Sequence, residues 1–118
     1  MTYSDELKAI IDAWNQTPIT DEWLFERFRE RAIKSLSPTE AFEAIGDTVK
    51  ALIHQFDEST ATEVLQTLIV LARHSATTEL HPFLEGHVAD LVKQFAPYGD
   101  YARDKLDELM RFYRLSRH

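Results

Sequence analysis

Apolar residues recur three and four positions apart along almost the whole chain, and no stretch alternates apolar and polar as a half-buried strand does. The spacing predicts an all-α protein. A first helix is expected from Ser4 as N-cap, with Asp5 and Glu6 near the positive end of its dipole. Leu7, Ile10, Ile11 and Trp14 form its stripe, and it should stop before Thr17-Pro18, because proline drives the preceding residue out of helical geometry. A second helix, expected from Thr20, carries Leu24, Phe25, Phe28 and Ala32 and continues towards Leu36.

The third start is the clearest. Ser37-Pro38-Thr39-Glu40 combines a serine cap, proline at the first helical position and glutamate at the third. Phe42, Ile45, Val49, Leu52, Ile53 and Phe56 follow on one face. Gly46 interrupts them at a cost of about 1 kcal/mol relative to alanine, which points to a close helix contact or a break. Thr60-Ala61-Thr62-Glu63 reads as another capping box, before a wide apolar surface of Val64, Leu65, Leu68, Ile69, Leu71 and Ala72. A fifth helix is expected from Pro82, carrying Phe83, Leu84, Val88, Leu91, Val92 and Phe95. A turn at Ala96-Pro97-Tyr98-Gly99-Asp100 leads, with Asp100 as cap, into a last helix with Ala102, Leu106, Leu109, Met110 and Tyr113 inward.

Six helices with short connections favour antiparallel neighbours, and no linker or low-complexity stretch divides residues 1–118, so one domain is expected. Phe42 and Phe83, and Leu65 and Leu106, are each 41 residues apart, and the third and fifth helices both open on proline. This resembles the helical hairpins of HEAT repeats. The segment from His81 to Tyr113 resembles a unit most, with Asp100-Tyr101-Ala102-Arg103 where that family often carries an acidic residue and an apolar-Arg step. The resemblance covers about two-thirds of the chain, and its motifs are unspecific. It implies a short α-solenoid of stacked hairpins that binds another macromolecule. A compact orthogonal helical bundle is the alternative.

Composition narrows the function. The net charge of −7 opposes general nucleic-acid binding, which needs a positive field to displace counterions. Residues 1–60 hold twelve acidic and six basic side chains, and residues 61–118 hold eight and seven, so the negative charge is concentrated in the first half. Such a surface attracts a basic partner or simply keeps the protein in solution. With no cysteine there is no disulfide, thiolate site or cysteine nucleophile. The polar, acidic N-terminus does not read as a signal peptide, and no apolar run approaches membrane-spanning length, so a cytoplasmic protein is expected.

The sequence offers little for catalysis. The five histidines, His54, His74, His81, His87 and His118, make no His-Glu-x-x-His pattern. His81 and Glu85 have a ligating spacing, but two ligands fall short of a zinc site, and capping or surface roles account for these histidines. Glu40/Glu43/Asp47 and Asp104/Asp107/Glu108 read as solvated helix faces. With three glycines there is no phosphate-cradling loop. No metal, no cofactor and no enzymatic activity are expected.

What remains is recognition. Trp23, Arg27, Arg31 and Lys34 fall on one stripe, as an interface or as a core tryptophan beside bases paired with Glu26 and Glu30. Tyr98 and Tyr101 sit by acidic residues near the last turn, for contact or for the core. The candidate partner-binding residues are Glu22, Trp23, Glu26, Arg27, Asp57, Glu58, Tyr98, Asp100, Tyr101 and Asp104. In size, charge and fold class, though in no motif, the chain is similar to immunity proteins of bacterial contact-dependent toxin systems. That similarity implies a protein partner such as a basic toxin or nuclease. An adaptor or regulatory subunit is the alternative, and a small-molecule binder is a third.

Overall fold

The computed structural model describes residues 2–16, 23–55 and 57–115. They form α1 (Tyr3–Gln16), α2 (Leu24–Lys34), α3 (Pro38–Leu52), α4 (Glu58–His74), α5 (Pro82–Glu85), α6 (Val88–Phe95) and α7 (Asp100–Phe112). The fold is all-α, with seven helices among the described residues where the periodicity predicts six. The expected fifth helix breaks after Gly86: His87 leaves helical geometry at φ −120°, and its Nδ1 takes up the Phe83 carbonyl at 2.7 Å. A side chain thus does the work of a backbone amide, and the chain restarts as α6.

Local chemistry also moves three helix starts. Thr2, not Ser4, caps α1, because Asp5 N–H donates to Thr2 Oγ1 at 3.2 Å and Thr2 N–H donates back to Asp5 Oδ2 at 3.4 Å. Asp57, not Thr60, caps α4 by accepting the Thr60 amide at 3.0 Å; a carboxylate three residues upstream is the stronger acceptor. Gly99 occupies the cap position of α7, and Asp100 is its first helical residue. The Ser37–Glu40 capping box forms as its sequence dictates. The expected start of α2 at Thr20 lies outside the described residues, as does the side chain of Phe56.

α4 is the centre. Val64, Leu65, Leu68, Ile69, Leu71 and Ala72 are buried on it, and it packs against α1, α2, α3 and α7. α3 and α4 form one antiparallel hairpin, and α5, α6 and α7 form a second beside it. Gly46 meets His81 and Leu52 meets Gln94, so α3 and the α5–α6 segment run parallel. Glu58 meets Gly99 and Arg73 meets Glu108, so α4 and α7 do too. The Glu58–Gly99 contact spans 41 residues, the interval separating the paired apolar positions. α2 extends this row on the other flank of α4, since Arg29 meets Glu63 while Leu36, just past the end of α2, meets His74.

α1 departs from the stack. The hydroxyl of Tyr3, at its start, bonds Thr48 at 2.8 Å, and Asn15, at its end, accepts from Thr60 at 2.6 Å. Both contacts lie near the same end of the α3–α4 hairpin, so α1 crosses that end instead of lining up beside α3. Trp14 packs edge-on against Phe25 beneath it, with ring centroids 5.2 Å apart.

Candidate protein-binding surface

Of the twelve described aromatic side chains the core buries five and packs against five more. Trp14, Phe25, Phe28 and Phe95 are buried, and Tyr113 is 7% exposed. Among the described large apolar residues, Trp23 and Tyr101 stand out at 57% and 69% exposed. Of the two readings of Trp23, an interface residue or a core one, the core reading gives way. Trp23 precedes the first turn of α2, one residue outside the Leu24, Phe25, Phe28 stripe, and Trp14 fills the core position against Phe25. An exposed indole loses favourable burial, which is why such residues mark recognition surfaces.

Tyr101 sits in the first turn of α7, next to a carboxylate corner built by two helix starts. Asp57 is committed as the α4 cap. Glu58, one residue on, accepts the Gly99 amide through Oε2 at 3.3 Å and so ties the α6–α7 turn to α4. Asp100 pairs with Arg103 one turn later, and Asp104 is exposed on the same helix. Tyr98 lies between these groups, packed edge-on against Phe95 with centroids 5.1 Å apart. Its hydroxyl is pushed above the usual tyrosine range, first by burial and then by the negative charges of Asp57 and Glu58, against a lowering bond from Gln94. Lys105 Nζ stands 5.7 Å from the Tyr101 ring centroid and leaves its outer side open.

Six of the candidate residues, Asp57, Glu58, Tyr98, Asp100, Tyr101 and Asp104, thus lie together at the paired starts of α4 and α7. Trp23, Glu26 and Arg27 lie apart from them on α2, across α4. Glu22 falls outside the described residues. On α2 Arg27, Arg31 and Lys34 are exposed, and Lys34 reaches Glu30 at 3.8 Å, an i,i+4 pair worth only about 0.3–0.5 kcal/mol.

The periodicity did not reveal the groove between α2 and α4, lined by Glu26, Arg29, Glu30, Ile33, Gln66, Val70 and His74. Arg29 bridges it, donating to Glu63 Oε1 at 3.1 Å and to Thr67 Oγ1 at 3.4 Å. Glu63 looks like a capping residue in sequence, and nothing local says that its carboxylate faces an arginine 34 positions away.

His74, His81 and His87 act in the fold. The His74 ring bonds the Leu36 carbonyl at 2.8 Å, and His81 Nδ1 caps α5 by accepting the Phe83 amide at 3.0 Å. His54 lies exposed beyond the end of α3. Among the described residues no three histidine or carboxylate side chains converge as a metal site would need, and no helix is long and apolar enough to cross a membrane. No family model, curated protein or solved structure matches the chain.

Proposed function

We propose that the chain is a non-catalytic protein-interaction domain that binds a basic protein partner through the acidic corner of α4 and α7. The observation that carries this reading is Tyr101, which is 69% exposed in the first turn of α7, just after the Gly99 amide that Glu58 holds and beside Asp100 in the chain. An exposed aromatic side chain beside a cluster of carboxylates is suited to a basic partner: the negative charge speeds encounter and the ring supplies desolvated contact once docked. Trp23, with Glu26, extends the surface on the other flank of α4.

Within this class the reading is an immunity-like role, in which the acidic surface covers the cationic active site of a toxin such as a nuclease. Small size, negative charge and helical stacking support it. An adaptor with a non-toxin partner would use the same corner, and the partner's activity separates the two.

The test is a pull-down from native lysate with the tagged chain and with its Tyr101→Ala/Asp104→Asn variant. The expected result is one stoichiometric basic protein, lost with the variant and eluted by moderate salt. Capture that ignores both the substitutions and the salt would refute the acidic-corner reading.

A further inference from the structure

We infer that α7 carries a self-complementary face through which two copies of this chain pair about a two-fold axis. This goes beyond the partner-binding reading and shares one residue with it, Tyr101.

The face is the stripe Tyr101, Lys105, Glu108 and Phe112, spaced four, three and four residues apart and therefore on one side of the helix. Its order is aromatic, positive, negative, aromatic. The two aromatic positions and the two charged positions share one midpoint, between Leu106 and Asp107. A two-fold axis at that point, with the helices antiparallel, sets Tyr101 of each copy against Phe112 of the other and Lys105 against Glu108. A closed symmetric pair needs this self-matching, because one patch must complement itself. The opposite helix direction would set like charge on like charge.

The shape agrees with the order. Tyr101 projects as the most exposed of the described large apolar side chains, at 69%. At the other end of the stripe, Phe112 is half-buried and lines an open groove with Arg73, Ala76, Thr77 and Thr78. The antiparallel pairing delivers each Tyr101 to the partner copy's groove, where the Arg73 side chain, 60% exposed, can cover the ring. Lys105 and Glu108 already stand 3.5 Å apart within one chain, and Glu108 holds Arg73 at 2.7 Å. The charges are thus positioned before a second copy arrives, which lowers the ordering cost of association.

The test is sedimentation of the purified chain alone, so a failure to find any partner protein leaves it untouched. The expected result is a mass rising from 13.7 kDa towards twice that value as concentration climbs through about 1–100 µM. Tyr101→Ala, an exposed truncation that leaves the core intact, should weaken pairing about tenfold or more. Lys105→Glu and Glu108→Lys should each weaken it similarly, whereas an equimolar mixture of those two variants should pair again, since both cross-chain contacts become attractive. A wild-type chain that stays monomeric to the top of the range overturns the inference. So does a dimer indifferent to Tyr101→Ala, or a mixture no tighter than its components.

Discussion

Gly46 on α3 lies directly beneath the imidazole of His81, the residue that caps α5. A Cβ built at position 46 would stand 2.8 Å from His81 Cε1 and 3.1 Å from Nε2. The glycine is therefore a packing requirement, since its backbone is ordinary helix. The ring above it cannot easily withdraw, being packed at a tilt against Phe42 with centroids 5.1 Å apart and bonded through Nδ1 to the Phe83 amide.

Gly46→Ala sets two effects against each other. Alanine gains about 1 kcal/mol of helix propensity, while the displaced ring costs about 1–3 kcal/mol. Because His81 is held on two sides, the steric term should win, and urea denaturation should show net destabilisation. In a His81→Ala background the same substitution should become stabilising. A loss of similar size in both backgrounds would show that the contact is unimportant.

Ala76 follows the α4 C-cap with φ 58°, a left-handed conformation that its Cβ disfavours. Ala76→Gly should raise stability by about 1 kcal/mol, seen as a melting temperature several degrees higher. An unchanged melting temperature would mean that the loss of unfolded-state restriction cancels the relief.

Two tyrosines should respond to phenylalanine in opposite directions. The Tyr113 hydroxyl is buried with no hydrogen-bond partner among the described residues, whereas that of Tyr3 is bonded to Thr48 at 2.8 Å. Tyr113→Phe should therefore stabilise at neutral pH by about 1 kcal/mol, and Tyr3→Phe should destabilise by a similar amount. Chemical denaturation of both variants checks the contrast, and equal signs would contradict it.

The same groups shape the alkaline limit. Burial pushes Tyr113 up to about 12 from 10.0, and Tyr3 and Tyr98 are raised as well, each chiefly by burial. Below pH 10 these hydroxyls are protonated in both the folded and the unfolded chain. Above it the unfolded chain releases protons that the folded one retains, so stability falls as pH rises. The stability of Tyr113→Phe relative to wild type should increase between about pH 10 and 12, read from thermal melts across that window. A constant difference would place Tyr113 in contact with water.

Arg29, with its side chain 14% exposed, is the cross-link between α2 and α4. Arg29→Met should cost about 1–2 kcal/mol, below the full penalty for a buried pair because Glu63 remains 30% exposed to water. Glu63→Gln should cost less, since an amide oxygen still accepts from the guanidinium. The order of the two unfolding midpoints decides the point.

What the sequence determined by itself was local. Helical periodicity follows from side chains three and four apart, and the Ser37–Glu40 box follows from backbone groups within one turn; the stop expected before Thr17-Pro18 lies outside the described residues. The inward set of α7, from Ala102 to Tyr113, was legible for the same reason, and so was the 41-residue interval that reappears in the Glu58–Gly99 contact. Carboxylates at helix starts were visible as charge, although only the fold put Asp57 and Glu58 beside Tyr98 and Asp100. The tertiary structure decided everything that depends on distant partners. It chose which of two tryptophans is buried: Trp14 packs against Phe25 in the core, while Trp23 stays 57% exposed. It laid α1 across the end of the α3–α4 hairpin, because Tyr3 and Asn15 find their partners there, 45 residues away in each case. It also turned Gly46 from a weak helix position into a required one, because the atom that excludes a side chain there belongs to a histidine on another helix.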